Sequence, residues 1–446
     1  MLTAVRSYQE ACRTFRWRIP ERYNMAFDIC DRQTMAGSDG HRTALIVEGC
    51  DGAVERYTFH VLRLLSNRLA NVLTQRGVVP GDRILVCFPP SVEAAIAILG
   101  CLKMGAVAVP IQPGLDEAAM AWRLTDSQAV QILSPATSAD LWDEMHLADD
   151  VFVPYVTGSD DAALLFYDHG QPQPVGVMHA HRGLLGNLPP LEMALGFFPH
   201  FGDIFWTASP WMSFEGLLWG VLPAWHHGVT VVASPLPQTP PQALSLMGRH
   251  GVRVFYASST DLLPLAQAAS VHPHPLLRAI ATGPAPLTAV QHDYVQTVFG
   301  FPPHEIWGTI ESGAAAANCT ELMEVRAGSP GRATPGVTVE AVEPFSGRPL
   351  PAETRGMLAV SPGSPGRCLG HWNGPIPERE PYGNGWIPTG ISGQRDLDGY
   401  IWPQMVPAAD PPPLVPVEPA VAAPIRLDGP RADERLPSST RKKRKK

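Results

Sequence analysis

The chain has 446 residues, of which 45% are hydrophobic, and its formal net charge is −8. This length predicts two or three domains with a large buried core, and the composition is that of an ordinary globular protein. No apolar run reaches the roughly 18 residues that span a bilayer, and the first residues lack the apolar core of a signal peptide. The seven cysteines are scattered without CxxC spacing, so we expect reduced thiols and a cytoplasmic protein without a cysteine metal site.

Charge is distributed unevenly along the chain. Residues 441–446 are all basic, so the remainder carries about −14. An acidic body argues against specific nucleic-acid binding as the main function. The basic run either touches anionic surfaces such as membrane or nucleic acid, serves as an address, or is simply solvated, which is the most frequent case.

Hydrophobic periodicity predicts alternating helices and strands after a lead-in over residues 1–56. The first predicted helix is capped by Thr58 and ended by Gly77, and the second is capped by Ser91 and ended by Gly105. Further helices are predicted at 214–227, 241–250 and 288–299, and strands at 84–88, 106–110, 131–133, 162–167, 204–207, 229–233, 252–256 and 280–282. This alternation predicts an α/β fold with parallel sheets.

The texture of the sequence changes near residue 325. Short strands with Gly/Pro turns, such as 337–342 and 356–360, predict a smaller β-rich subdomain. After Trp402 the chain is rich in Pro and Ala and then basic, for which we expect disorder. The predicted organisation is therefore an α/β region over 1–324 with two subdomains, a β-rich subdomain over 325–402, and a disordered tail over 403–446.

The stretch around which the chain is organised runs from Asp161 to Arg182. An apolar strand is followed by a Gly/Pro-rich loop with Gly170 and Gly176, and then by a second element. Such a loop is a common place to hold a phosphate, because bare backbone N–H groups converge there. The loop has no Lys, Ser or Thr between Tyr167 and Met178, so the residues alone favour an ordinary strand connection.

The segment VGVMHAHRGLLGN resembles the one that follows the phosphate loop in the adenylate-forming (AMP-binding) superfamily, especially acyl-CoA synthetases of the acetyl and medium-chain type. The resemblance covers roughly residues 14–402. It implies the large N-terminal domain of an adenylate-forming enzyme, with two α/β subdomains and a small β subdomain. It also implies an acyl-adenylate made from a carboxylic acid and Mg-ATP, which then reacts with CoA.

The phosphate loop departs from the family pattern, which reads Tyr-Thr-Ser-Gly-Thr-Thr-Gly-x-Pro-Lys-Gly. Here residues 166–176 read FYDHGQPQPVG. The Pro and the last Gly match, but the hydroxyls are missing and the Lys position holds Val175. Asp168 adds a negative charge where a triphosphate would lie.

Two further blocks carry the candidate nucleotide residues. Residues 281–287 resemble the family's Gly-Gly-Glu-Pro-Leu block beside the adenine, with Gly283 kept and Ala285 in place of the carboxylate. Residues 307–311 resemble Tyr-Gly-x-Thr-Glu, which implies that Trp307 stacks on adenine beside Gly308 and that Glu311 binds Mg²⁺. The phosphate-binding Thr is Ile310. A lone carboxylate binds Mg²⁺ poorly without substrate phosphates, so a solvated loop carboxylate is the competing interpretation of Glu311.

Two more features weaken the ATP site. Residues 388–391 resemble the family's Thr-Gly-Asp block, but the ribose-binding Asp is Ile391. Charge-assisted hydrogen bonds contribute about 1.5–3 kcal/mol each, so these losses together exceed the roughly 4–8 kcal/mol of a millimolar-to-micromolar ATP affinity. We also expect the family's C-terminal domain with its catalytic Lys to be absent, because residues 403–406 do not match the hinge and the tail lysines are not positioned for catalysis.

One histidine pair has the spacing of a candidate metal site. His179 and His181 alternate, which places them on one face of a strand. A third ligand is not evident, and this pattern is ordinary in the family scaffold, so an ordinary structural role is favoured.

Three hypotheses follow from the sequence. The first is a catalytically impaired pseudoenzyme that binds a partner protein or keeps an acyl or CoA-type ligand in the old pocket. The alternative is an active AMP-dependent ligase for a short- or medium-chain acid, with an unusual site or a partner chain supplying the lid. Mg-ATP and CoA are implied by the resemblance alone, and the first hypothesis requires neither. A truncated or frame-shifted gene is the third, but it does not explain upstream substitutions that remain in register.

Overall fold

A computed structural model describes residues 1–35, 40–49, 51–167, 174–235, 238–273, 275–376 and 379–404. The predicted tail beyond residue 404 and the loop residues Asp168 and Gly170 lie outside the described residues. The helices are α1 (Tyr8–Thr14), α2 (Met25–Ile29), α3 (Phe59–Gln75), α4 (Val92–Lys103), α5 (Glu117–Ser127), α6 (Ser138–Leu147), α7 (Gly183–Ala194), α8 (Phe214–Gly216), α9 (Leu222–His226), α10 (Pro240–Arg249), α11 (Ser259–Ala269) and α12 (Ala289–Phe299).

The strands are short and are spread over the whole described chain. They are β1 (Thr43–Glu48), β2 (Val54–Thr58), β3 (Arg83–Val86), β4 (Val107–Pro110), β5 (Gln131–Leu133), β6 (Ala162–Tyr167), β7 (Gly176–Ala180), β8 (Ile204–Thr207), β9 (Thr230–Ala233), β10 (Val254–Ser258), β11 (Ala279–Gly283), β12 (His304–Thr309), β13 (Gly313–Ala317), β14 (Arg332–Ala333), β15 (Val339–Val342), β16 (Gly356–Val360), β17 (Gly370–His371), β18 (Ile387–Arg395) and β19 (Ile401–Pro403).

Local capping signals predicted the helix starts well. The side chains of Thr58, Ser91 and Thr288 accept hydrogen bonds from backbone N–H groups in the first turns of α3, α4 and α12. The predicted continuous helix over 214–227 is instead interrupted by a π turn at Leu217–Val221, between α8 and α9. Helix α7 was not predicted, because all twelve of its residues are buried and it contains Pro189 and Pro190, so neither an amphipathic pattern nor the usual breaker rule reveals it.

Two large sheets are mostly parallel, as the strand-helix alternation predicts. The first has the order β17-β7-β6-β4-β3-β5, with parallel pairing from β6 to β5 and antiparallel pairing at β7 and β17. The second has the order β14-β13-β12-β11-β10-β8-β9-β1-β2, parallel from β12 to β1 and antiparallel at both edges. One hydrophobic core, which contains α3, α4 and α7, joins the two sheets. Helices α10, α11 and α12 cover the other face of the second sheet.

A third, antiparallel sheet has the order β15-β16-β18-β19 and lies within the predicted β-rich segment. Two strands of that segment also extend the larger sheets: β14 pairs with β13 of the second sheet, and β17 pairs with β7 of the first. The predicted domain boundaries at 324/325 and 402/403 stay predictions. Within the described ranges, no helix is both long and apolar enough to cross a membrane. The six described cysteines form no disulfide, and Cys50 lies outside the described residues.

Helix α7 brings the later segment of the chain against the core. A Cβ on Gly186 would lie 2.0 Å from the backbone nitrogen of Gly366, so only glycine allows this approach. The Asn187 side-chain oxygen accepts hydrogen bonds from the backbone N–H of Ala314 at 2.8 Å and from the Trp219 indole at 2.9 Å. Residues 364–368 are thereby held beside the β12–β13 turn, where the candidate site lies.

Candidate functional site

The candidate site lies where the two large sheets are tied together. Glu311 lies in the turn between β12 and β13 of the second sheet, and its backbone carbonyl accepts a hydrogen bond from Cys368 N–H at 2.8 Å. Shortly after Cys368 the chain forms β17, which pairs with β7 of the first sheet. Strand β7 directly follows the predicted phosphate loop. The sequence blocks that carry the resemblance therefore meet at one junction.

The three described candidate glycines have packing reasons for being glycine. Gly283 has φ +154°, and a Cβ there would lie 2.1 Å from the Ile306 carbonyl oxygen. A Cβ on Gly308 would lie 2.1 Å from the Gly313 oxygen, and one on Gly176 would lie 2.9 Å from side-chain atoms of Leu165 and Trp372. Close approach of chain segments requires these residues in the absence of any ligand. Their predicted roles in cofactor binding stay predictions.

Trp307 is fully buried, with 0% of its surface exposed. Its ring belongs to a hydrophobic cluster with residues of the third sheet, including Val339, Val360 and Ile401. Ile391, at the position of the family's ribose-binding Asp, is partly buried and packs against the same cluster. The indole predicted to stack on adenine is thus used as core in this conformation, and no ring face is open to a nucleotide.

Glu311 is buried and its carboxylate already has cationic and polar neighbours. Arg379 Nη1 donates a hydrogen bond to its Oε1 at 3.0 Å, and His371 Nε2 lies 3.6 Å from the same oxygen. Mg²⁺ requires near-octahedral oxygen coordination, whereas a guanidinium and an imidazole surround this carboxylate. No group of three His, Cys, Asp or Glu side chains among the described residues is arranged to hold a metal ion. The residues present at Glu311 therefore do not fit Mg²⁺ in this conformation.

Glu305 is a buried acid that sequence reasoning missed. It is the second residue of β12, the strand that contains Trp307, is 1% exposed, and accepts a hydrogen bond from Leu287 N–H at 3.2 Å. Burial raises the pKa of Glu305 to about 8, opposed by that backbone hydrogen bond. The group is therefore mostly protonated near neutral pH. The signal available in the sequence was a carboxylate directly before the apolar pair Ile306 and Trp307.

His179 and His181 are both buried and have different surroundings. The His179 ring packs between Phe166 and Phe214, with centroid distances of 5.8 and 5.0 Å. His181 Nδ1 accepts a hydrogen bond from Met25 N–H at 3.1 Å. Burial lowers the pKa of His179 to about 3 and that of His181 to about 4, so both rings are neutral at physiological pH. These contacts match the structural interpretation of the pair.

A cavity of about 610 Å³ lies at the carboxyl ends of β8 and β9. Its wall includes Pro89 and Pro113, which follow strands β3 and β4 of the first sheet. It also includes Trp206 of β8, Trp211 after β8, and Val232 of β9. This is where parallel sheets usually bind ligands, because polar backbone groups and loops converge at that edge. The cavity is lined in part by residues 203–233, a segment that resembles the acyl-pocket region of the adenylate-forming superfamily, and its wall is mainly apolar.

Comparison with known proteins agrees with this architecture. The sequence model of the AMP-binding enzyme family matches residues 33–367. The chain is 28% identical over 445 residues to an acetyl-coenzyme A synthetase of Bacillus subtilis, covering 89% of this chain and 76% of that protein. It is 25% identical over 442 residues to a mitochondrial acyl-coenzyme A synthetase of Mus musculus, covering 89% and 74%.

Solved structures show the same fold. A Brucella canis acyl-CoA synthetase superposes with a TM-score of 0.81 at 23% identity, over 89% of this chain and 79% of that one. An anthranilate CoA ligase in complex with anthranoyl-AMP gives a TM-score of 0.75 at 20% identity, over 86% and 78%. The fold is that of the N-terminal domain of adenylate-forming enzymes. The family model matches residues 33–367, which is most of the chain. The chain therefore belongs to the AMP-binding enzyme family of acyl-CoA synthetase-type proteins.

Proposed function

We propose that this protein is an acyl-CoA synthetase-like pseudoenzyme, which keeps the family fold for binding and no longer adenylates a carboxylic acid. The observation that carries the proposal is the apolar packing of Ile310 and Ile391. They stand at the positions of the family's phosphate-binding Thr and ribose-binding Asp, and both pack against hydrophobic clusters. Side chains that would contact ATP have become packing side chains, which cannot donate or accept hydrogen bonds.

The energetic size of these changes supports the proposal. A carboxylate that binds two ribose hydroxyls contributes about 1.5–3 kcal/mol per hydrogen bond. Val175 removes a lysine contact as well. A typical metabolite affinity in the millimolar-to-micromolar range amounts to only about 4–8 kcal/mol. The remaining contacts would have to be unusually strong to hold ATP.

The cavity at the carboxyl ends of β8 and β9 is where a retained ligand would bind. The 610 Å³ cavity is large enough for a small ligand, and its mostly apolar wall suits an acyl chain or the pantetheine arm of a CoA-type molecule. Binding of a partner protein is the other form of this role. Contact of the basic tail with anionic surfaces stays a prediction, since residues 441–446 lie outside the described residues.

The test is calorimetry with Mg-ATP, together with ATP–pyrophosphate exchange in the presence of short- and medium-chain acids. We expect no ATP binding at millimolar concentration and no exchange. The matched variant is Ile310→Thr with Ile391→Asp, which restores two family residues without touching Glu311. Exchange by the wild-type protein with any of these acids would refute the proposal.

An active AMP-dependent acid–CoA ligase is the second candidate, using Mg-ATP and CoA. It is favoured by one observation, the similarity over most of the chain to proteins named acetyl-coenzyme A synthetase. Micromolar Mg-ATP binding that is lost in Glu311→Ala would support this candidate, because it would show that Glu311 still contributes to a nucleotide site. Unchanged exchange in Glu311→Ala would contradict it.

A further inference from the structure

The segment that follows Cys368 is fixed beside the candidate site as an extra edge strand. Within β17, Gly370 pairs with Met178 and His371 pairs with Val177. Leu369 N–H donates to the Met178 carbonyl and Trp372 N–H donates to the Gly176 carbonyl, both at 2.7 Å. This pairing places His371 directly beside the strand that leaves the predicted phosphate loop.

A second set of contacts anchors the same segment on the opposite side. The Trp372 indole donates a hydrogen bond to the Asp126 carbonyl at 2.7 Å, and the Arg83 guanidinium lies 5.5 Å from the Trp372 ring centroid. The Asn373 side chain donates to the Asp126 carboxylate at 2.8 Å. Trp372 and Asn373 are therefore held by the first sheet and by the end of α5 without any contact to the Glu311 side chain.

The charges then converge on Glu311. Its side chain is 8% exposed, and that of His371 is 2% exposed. Arg379 reaches Glu311 Oε1 at 3.0 Å, while the other ring nitrogen of His371 lies 3.0 Å from Glu380 Oε1. A buried carboxylate needs a counter-charge, since an unpaired ion at such a site is strongly unfavourable. In this chain the counter-charge is a guanidinium that lies 68 residues away in sequence.

We propose that Arg379 takes the place of a divalent cation at Glu311, so that the carboxylate anchors Arg379 and the neighbouring His371 beside the site instead of binding metal. The inference rests on the proposed function, because it treats Glu311 as a residue released from catalysis. It goes further by naming the intramolecular cation and the residues held at the carboxylate. The protein is then independent of Mg²⁺ and Mn²⁺ for its stability.

The experiment is thermal unfolding of the full chain with EDTA, Mg²⁺ or Mn²⁺, together with electron paramagnetic resonance titration of Mn²⁺, all without nucleotide. The variants are Arg379→Gln, Glu311→Gln and the double substitution. Wild type is expected to show no metal-dependent change in Tm. Arg379→Gln is expected to unfold at a lower temperature and to bind Mn²⁺ roughly tenfold tighter than wild type, with partial recovery of Tm by the metal. The double variant is expected to lose both the Mn²⁺ binding and the recovery.

Two results would overturn the inference. One is tight Mn²⁺ binding by wild type that Glu311→Gln abolishes, because Glu311 would then be free for metal. The other is an Arg379→Gln variant with unchanged Tm and unchanged Mn²⁺ binding. If Arg379→Gln does not fold, the double variant, in which no unpaired buried charge remains, must fold near wild-type stability. ATP–pyrophosphate exchange on the same preparations separates the two proposals, since exchange refutes the pseudoenzyme while the nucleotide-free metal response decides the role of Arg379.

Discussion

Glu305→Gln is the substitution whose effect the structure defines most sharply. The folded protein keeps this side chain mostly protonated near neutral pH, because burial raises its pKa to about 8 from the ordinary value of 4.5. Glutamine retains an oxygen for the hydrogen bond from Leu287 N–H and carries no charge at any pH. The substitution therefore changes the proton linkage while preserving the size and the main contact of the side chain.

The magnitude follows from the two pKa values. Below about pH 4.5 both folded and unfolded chains bind this proton, and Glu305 makes no contribution to pH dependence. Between about pH 4.5 and 8 the unfolded chain releases the proton while the folded chain holds it, so wild-type stability falls by up to about 1.4 kcal/mol per pH unit. Over the whole window the effect is about 5 kcal/mol, a large part of the 5–15 kcal/mol of a typical domain.

The assay is urea unfolding of wild type and Glu305→Gln at a series of pH values from 4 to 9. The free energy of unfolding of the variant minus that of wild type should rise through the window and level off above about pH 8. Glu117→Gln is the matched control, because it makes the same chemical change on the exposed first turn of α5. Parallel stability curves for wild type and Glu305→Gln would refute the conclusion that the folded state holds this proton.

Two further predictions concern stability. The Lys103 side chain is fully buried and its Nζ lies 2.8 Å from Asp31 Oδ2. Lys103→Ala should therefore lower the free energy of unfolding, measured in urea, by about 3–5 kcal/mol, and the double variant Lys103→Met with Asp31→Asn should regain most of that stability. A decrease below about 1 kcal/mol in Lys103→Ala would contradict this prediction. Gly283→Ala should lower the free energy of unfolding several times more than Gly300→Ala does. Both glycines have positive φ, but only at Gly283 would a Cβ meet a backbone oxygen, that of Ile306. Equal Tm values for the two variants would show that this close approach is tolerated.

Under the pseudoenzyme proposal, the protein keeps the fold of an enzyme family while residues of the site serve packing instead of catalysis. Glycines that the resemblance relates to nucleotide binding also permit backbone segments to approach one another, so the fold itself requires them. Ile310 and Ile391 add apolar packing where polar contacts to ATP would be made. On this proposal fold and chemistry are separate, since packing requirements preserve the fold while the chemistry is free to change.

The sequence by itself determined the local elements and the family. Helices α3 and α4 were predicted with their caps because capping depends on a few neighbouring residues, and α12 was predicted without its cap. The parallel sheets followed from the spacing of apolar strands, and the departures at Val175, Ile310 and Ile391 are visible by register alone. The small β subdomain was also apparent in its turns, although its connections to both larger sheets were not.

Only the tertiary structure decided the state of the site. The sequence predicts that Trp307 can stack on adenine, whereas the structure buries its ring against the third sheet. It predicts Glu311 as either a Mg²⁺ ligand or a solvated loop carboxylate, whereas the structure buries it beside Arg379. The protonation of Glu305 depends on burial by elements distant in sequence. Burial and charge pairing are sums over contacts between distant segments, and the sequence pattern around one residue contains no record of them.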